Sequence, residues 1–349
     1  MEKKAKLIGL YLEIISSCNQ QCVYCYNEEI IKKVFKLDLK VIQKVLLDAK
    51  SMGVDSITLS GGEPLLYDKV FELLDFCKEK KIHVDIITNA TLITEYVAEK
   101  LAYYNPGIQF TLDSGISKIH NLSRGVGTYE SQEKALKLLK SCGYRGSIAV
   151  RTNLWKQNYS KESLQSVFDF AEKHDIKNLD IALAHETKLF HDSLKSIEEL
   201  KLAEHEISEL EQMYKKIKVN YQEKEVSIGC PFTGGENIVG FNVRISPEGD
   251  VYPCQMFDKK QFSFGNINIL SIKEIMYGEK CKQFIDLMNL RKYFIPKCQN
   301  CGYQHLCNAG CPAKAIFSEG TIFAVDGTCR DRKNLLGNGL LTFTNSISN

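Results

Sequence analysis

The chain has 349 residues, 44% of them hydrophobic, enough to bury a large core. Lys+Arg number 45 against 43 Asp+Glu, a net charge of +2. That balance leaves no footprint for nucleic acid and no polybasic patch for a membrane, and no apolar run reaches the length of a membrane span. The start, from Met1 to Leu12, is a basic stretch and then an apolar one. Glu13 interrupts it and no small-residue cleavage site follows, so it predicts a short tail and a buried strand rather than a signal peptide. Thirteen cysteines in such a chain point to a reducing cytoplasm and to metal rather than disulfides. Three fall within the first 25 residues and eight between Cys230 and Cys329.

Residues 8–15 predict a strand leading into Cys18-Asn-Gln-Gln-Cys22-Val-Tyr-Cys25. Asp38 caps a predicted helix with Val41, Ile42, Val45, Leu46 and Ala49 on one face, stopped by Gly53. Ser56 to Ser60 predicts a second strand, ending in Gly61-Gly62-Glu63-Pro64. A helix over 68–80 carries Cys77 as a packed thiol, and a strand over 82–88 closes on Asn89. A helix through Tyr96, Val97 and Leu101 leads to a strand over 108–113. Helices over 129–142 and 161–174 then alternate with strands over 146–153 and 178–184. Six strands alternating with helices predict parallel βαβ units, and a barrel of such units keeps its chemistry at the C-terminal strand ends. The cysteine loop, the Gly-Gly-Glu-Pro turn, Thr88-Asn89, Asp113-Ser114 and Arg151 to Asn153 all fall there. Residues 185–225 are charged and helical in pattern. From Val226 the chain is irregular, and 238–253 predicts a hairpin turning at Pro247-Glu248-Gly249-Asp250.

Three thiolates at C-x-x-x-C-x-x-C can hold three irons of a cubane and leave the fourth open to a small molecule. A zinc knuckle is the alternative, although it favours four ligands in a closed tetrahedron. The C-terminal cysteines form a second pattern: Cys298-x-x-Cys301-x5-Cys307-x-x-x-Cys311, then Cys329. Cys230 and Gly249-Asp-Val-Tyr-Pro-Cys254 lie upstream of it. These pairs suit a zinc ribbon as well as an iron–sulfur site.

The cysteine loop after a first strand, with Gly-Gly-Glu-Pro after a second, resembles the radical S-adenosylmethionine (SAM) superfamily over roughly residues 8–184. The resemblance implies that Cys18, Cys22 and Cys25 ligate a catalytic [4Fe–4S] cluster whose open iron chelates SAM. The reduced cluster then cleaves SAM to a 5′-deoxyadenosyl radical that abstracts hydrogen from substrate. Gly61 and Gly62 would let the backbone approach the ligand, and Glu63 would accept from its ammonium. By position, Tyr24 matches the family's aromatic neighbour of the adenine, and Thr111 stands where relatives carry a ligand-contacting serine. Arg124, in Ile119-His-Asn-Leu-Ser-Arg124, matches the arginine that pairs with the SAM carboxylate. Asn89 and Asn153 end strands facing the site. Each has an ordinary alternative as a packing, turn or surface residue.

The C-terminal pattern resembles the SPASM extension of this superfamily, which implies two auxiliary [4Fe–4S] clusters. By position, Cys230, Cys254 and Cys311 would ligate the first, and Cys298, Cys301, Cys307 and Cys329 the second. Eighteen residues separate Cys230 from Gly249 with no cysteine among them, so the first auxiliary cluster is either open or closed by a non-cysteine ligand. Gln255 stands where sulfatase maturases of this type carry an aspartate base, which disfavours formylglycine formation. Cys281 matches no cluster ligand; it is either a helix thiol or a hydrogen-atom donor of the kind peptide epimerases need.

The expected fold is α/β: a partial (β/α)6 TIM-like barrel with an irregular, cysteine-rich SPASM domain. The expected domains are a radical SAM core over 1–185, a helical bridge over 186–225, a SPASM domain over 226–335 and a tail over 336–349. The expected function is a cytoplasmic peptide maturase. It would abstract hydrogen from a ribosomally made precursor peptide and install a thioether, carbon–carbon or ether crosslink. Alternatives are a peptide epimerase, or an oxidase or decarboxylase of a small-molecule cofactor precursor. A ferredoxin or flavodoxin would supply electrons. Few residues precede the first strand, so leader recognition calls for a separate leader-binding protein or another surface.

Overall fold

The computed structural model describes residues 4–25, 33–183, 238–307, 309–327, 329–330 and 333. Cys230, the bridge expected over 186–225 and the tail expected over 336–349 lie outside them. The described residues form two compact units. One runs from Gly9 to Leu183 and includes Arg244 to Asp250; the other takes in Lys4 to Ile8, Ile238 to Val243 and the described residues from Val251 onward.

The first unit is a run of βα repeats. Its strands are β1 (Lys4–Ile15), β2 (Ser56–Gly61), β3 (His83–Ile87), β4 (Gly107–Thr111), β5 (Ile148–Leu154) and β6 (Asn178–Leu183). They lie side by side in chain order, every neighbouring pair parallel, as in a partial (β/α)6 barrel. The helices are α1 (Leu39–Ser51), α2 (Val70–Glu79), α3 (Glu95–Tyr104), α4 (Ser117–Arg124), α5 (Thr128–Ser141) and α6 (Lys161–Lys173). Asp38 caps α1 as expected, its carboxylate accepting from the Lys40 and Val41 N–H groups. Leu39, Ile42, Val45, Leu46 and Ala49 are the buried face of α1, and Cys77 is packed in α2 at 1% exposure. Burial pushes the Cys77 thiol up to about 12.

Two features depart from the expected elements. The segment Ser117–Arg124, bounded by positive-φ Gly125 and Gly127, is a helix of its own. β1 begins at Lys4 rather than near residue 8, because its first residues belong to the second unit. There β1 neighbours β7 (Ile238–Ile245), and Ile8 lies against Gly240.

The hairpin from β7 into β8 (Asp250–Tyr252) turns through Gly249 at φ +92°, as its sequence predicts, and from Val251 onward the described chain belongs to the second unit. β9 (Gly265–Asn266) pairs beyond β8. Helices α7 (Ile272–Met276), α8 (Glu279–Phe294), α9 (Pro296–Gln299), α10 (Gln304–Cys307) and α11 (Pro312–Glu319) complete it. Phe284 of α8 meets Phe241, Phe257 and Phe264, with centroids 5.4–6.4 Å apart, the last two at near-perpendicular or steeply inclined angles. Among the described residues no helix is long and apolar enough to cross a membrane.

Candidate functional site

Parallel strands put their C-terminal ends on one rim. That rim brings together the loop after β1, the Gly-Gly-Glu-Pro turn after β2, Thr88-Asn89 after β3, Asp113 after β4 and the end of β5.

The cysteine loop is tied down at several points. Gly62 N–H donates to Ile15 O at 2.8 Å and Glu63 N–H to Ser17 O at 2.9 Å. Val23 N–H donates to Ser123 O, near the C-terminal end of α4, at 3.0 Å. Gln20 Nε2 donates to Thr128 Oγ1 at 2.9 Å, and Asn19 Nδ2 to Thr91 Oγ1 at 2.9 Å. The glycines explain the fit. A Cβ on Gly61, at φ +128°, would stand 2.1 Å from Ile15 O, and one on Gly62 2.1 Å from Ser17 O. The close approach they permit within the chain is to the strand and loop that carry the cysteines.

Glu63 is 1% exposed. Its Oε1 accepts from Thr88 Oγ1 at 2.6 Å and Leu65 N–H at 3.1 Å, and its Oε2 from Asn89 N–H at 2.7 Å. The carboxylate therefore joins the ends of β2 and β3; burial raises its pKa against those three donors. Asn89 is similarly engaged. Its Nδ2 donates to Asn19 Oδ1 at 2.8 Å and faces Cys18 Sγ at 3.9 Å, while its Oδ1 accepts from Thr91.

The other side of the loop meets Asp113, which sequence reasoning places at a strand end without a role. Asp113 is fully buried. Its Oδ2 accepts from Arg124 Nε at 3.0 Å, Ser123 Oγ at 2.5 Å and the Tyr24 hydroxyl, and its Oδ1 from Asn153 N–H at 3.2 Å. Burial works to raise its pKa, but Arg124, His120 and these donors outweigh it and hold the carboxyl below the usual range. Arg124 also donates to the Tyr24 hydroxyl through Nη2 at 2.7 Å and to Cys22 Sγ through Nη1 at 3.5 Å. Its guanidinium lies 4.7 Å from the Tyr24 ring centroid, and Trp155 packs edge-on to that ring. A guanidinium has five N–H bonds, so one remains on each terminal nitrogen. Tyr24 is thus buried under Arg124, at 3% exposure. Asn153 receives Arg151 Nε on its Oδ1 at 3.1 Å. Thr111 offers its carbonyl to Gln132 Nε2 at 3.0 Å. Gln132 and His120 are buried beside this network, and Gln132 Oε1 and His120 Nε2 have no hydrogen-bond partner among the described residues. Gln132 lies in no motif, and His120 falls within the Ile119–Arg124 segment without being assigned a role there.

The thiols suit an iron–sulfur group. Cys18, Cys22 and Cys25 form no disulfide and are partly exposed. Gln20 N–H points at Cys18 Sγ at 3.4 Å, and Arg124 at Cys22 Sγ, the kind of donor that thiolate ligands of clusters receive. Burial, with smaller contributions from Glu63 and Cys22, pushes the free Cys18 thiol up to about 11.

In the second unit, Cys298 lies near enough to Cys329, Cys307 and Cys301 that their charges, after burial, raise its pKa. This is the quartet named from the sequence. Cys254 Sγ faces the Met256 N–H at 3.4 Å, and Cys311 caps α11, its Sγ facing the Lys314 N–H at 3.5 Å. Cys281 is 0% exposed in α8, and burial pushes it up to about 12, which makes it a packed thiol.

Comparison with known proteins agrees with this geometry. The "Radical SAM superfamily" family matches residues 12–170, and "SPASM", described as an iron–sulfur cluster-binding domain, matches residues 237–302. The antilisterial bacteriocin subtilosin biosynthesis protein AlbA of Bacillus subtilis is 27% identical over 261 residues, spanning 73% of this chain and 56% of AlbA. The structure of native anSMEcpe with bound AdoMet and Cp18Cys peptide superposes with a TM-score of 0.73 at 20% identity, covering 98% of this chain and 99% of that one. Streptococcus suis SuiB bound to precursor peptide SuiA superposes with a TM-score of 0.69 at 20% identity, covering 93% and 76%. The chain belongs to the radical SAM superfamily of enzymes and carries a C-terminal SPASM domain.

Proposed function

We propose that this enzyme modifies a ribosomally made peptide by hydrogen abstraction, installing a thioether, carbon–carbon or ether crosslink. The observation that carries the reading is the three-thiol loop, held on the barrel rim by main-chain bonds and backed by Arg124 and Asn89. Relatives with peptide in their descriptions, SuiB with SuiA and anSMEcpe with Cp18Cys, support a peptide as the substrate class.

When bound, SAM and the [4Fe–4S] cluster supply a 5′-deoxyadenosyl radical by one-electron cleavage of the sulfonium. Cys18, Cys22 and Cys25 would hold the cluster, and the SPASM cysteines would hold two auxiliary clusters. Arg124 keeps two N–H bonds for a carboxylate while Asp113 and Tyr24 fix its plane. Glu63 spends three acceptor sites on the fold and keeps its carboxylate beside the loop. Burial of Asp113, Tyr24 and Glu63 keeps water from that side of the rim. Gln255 is exposed where a maturase of sulfatases would need a base, which points away from formylglycine chemistry. The burial of Cys281 speaks against it as the donor thiol of an epimerase.

The test is anaerobic reconstitution with iron and sulfide, then SAM, a reductant and candidate precursor peptides. About twelve irons per chain, 5′-deoxyadenosine formation abolished in Cys22→Ala, and a two-hydrogen mass loss in a peptide support the proposal. SAM cleavage coupled only to a small-molecule acceptor overturns the peptide reading.

A further inference from the structure

The buried cation of the SPASM unit has no role in the reading above. Arg291 lies on α8 with its side chain at 0% exposure, three residues after buried Met288 and seven after Phe284. A guanidinium on the buried face of a helix is costly unless its N–H bonds are met and its charge is needed. The N–H bonds are met by main chain. Nη1 donates to Gly310 O at 2.8 Å, Nη2 to Ala324 O at 2.8 Å, and Nε to Ile322 O.

Those acceptors sit between cysteines. Gly310 lies between Cys307 and Cys311, and Ile322 and Ala324 lie on the stretch that leads to Cys329. Asp326, on the same stretch, accepts the Cys311 N–H at 2.8 Å, and its own carbonyl accepts the Cys329 N–H at 3.2 Å. Cys298 follows Arg291 through the α8–α9 junction, packed with Ile295 and Ala309. One guanidinium therefore fastens the segments that carry all four members of the Cys298, Cys301, Cys307 and Cys329 quartet.

We infer that Arg291 is the positioning and charge-compensating residue of the Cys298–Cys301–Cys307–Cys329 site: its fork holds the ligand segments in register and its cation stabilises the negative, reduced state of the cluster they bind. The inference rests on the proposal that this quartet holds an auxiliary cluster. Four thiolates give a cubane net negative charge, and reduction adds to it, so a buried cation beside it raises the potential. A neutral residue at position 291 lowers it.

The experiment compares reconstituted wild type, Arg291→Gln and Arg291→Lys by iron content and by potentiometric titration followed with electron paramagnetic resonance. Cys298→Ala identifies the transition that belongs to this site. The expected result is a shift of that transition to more negative potential in Arg291→Gln, with Arg291→Lys near wild type. Full loading in Arg291→Lys with failed loading in Arg291→Gln also supports the inference, because the charge is then what the site requires. An unchanged potential in fully loaded Arg291→Gln overturns it. Failed loading in both variants overturns the charge-compensating role, because the fork's shape is then all that the site requires. A wild-type chain that binds about four irons, all lost with Cys22→Ala, would instead overturn the auxiliary-cluster proposal beneath it.

Discussion

Replacing Arg244 with Met tests what holds the first strand of the barrel. Glu13 on β1 and Arg244 on β7 are 0% and 1% exposed, and Arg244 Nη2 donates to Glu13 Oε2 at 2.6 Å. At that separation and an effective dielectric constant of about 20, the Coulomb attraction is about 6 kcal/mol, largely offset by the cost of removing both charges from water. Removing the cation alone keeps that cost for the carboxylate and forfeits the attraction. The expected loss is about 3–5 kcal/mol of unfolding free energy. At about 2–4 °C per kcal/mol this lowers the thermal midpoint by roughly 6–20 °C. The assay is thermal unfolding of the apo chain by far-ultraviolet circular dichroism. The double variant Glu13→Leu/Arg244→Met should recover most of the loss, because apolar groups then fill the space of the ion pair. A single-variant loss below about 1 kcal/mol, in the range of a surface pair, would refute the reasoning. So would a double variant no more stable than the single.

Gly62→Ala forces a Cβ against Ser16 O and Ser17 O, so the cysteine loop must move; iron at the Cys18–Cys22–Cys25 site should fall while the SPASM irons stay. Asp113→Asn removes the charge that orients Arg124 and should weaken SAM binding about 10–100-fold in equilibrium dialysis, from about 1.5–3 kcal/mol of charged hydrogen bonding. Cys281→Ala should leave 5′-deoxyadenosine formation and peptide modification intact at a cost of about 1 kcal/mol in stability; loss of modification with SAM cleavage retained would revive the epimerase reading. Burial lowers the His120 pKa to about 4 in the folded state, from an ordinary value near 6.5. The unfolded chain then binds the proton more tightly. Stability present above about pH 6.5 should be lost as pH falls toward 4, by up to about 3 kcal/mol, and His120→Asn should flatten that part of the profile.

Much of this architecture is legible in the chain because it is local. Alternating apolar periods place the strands and helices, Asp38 marks the start of α1, and Gly249 marks the hairpin turn. The three cysteines lie within eight residues, so their pattern needs no fold to be seen. The rest depends on partners far along the chain. Glu13 looks like a lone charge in an apolar run until Arg244, 231 residues away, arrives beside it. Tyr24 suggests an aromatic contact, but its hydroxyl meets Asp113, 89 residues on, and its face meets Arg124. Gly61 and Gly62 suggest a close approach to a ligand, and only the parallel pairing of β1 with β2 sets Ile15 and Ser17 against them as well.

The attachments of the cysteine loop bear on how it answers to changes in the barrel around it. Gly62, Glu63, Thr91, Ser123 and Thr128 anchor it through main chain and neutral side chains, and none of those bonds uses a sulfur. The barrel therefore shares in setting where the thiols stand, and they stay partly exposed on its rim. A change at Thr91 or Thr128 would shift the thiols as a group without altering one of them, as a loosened hinge misaligns a latch.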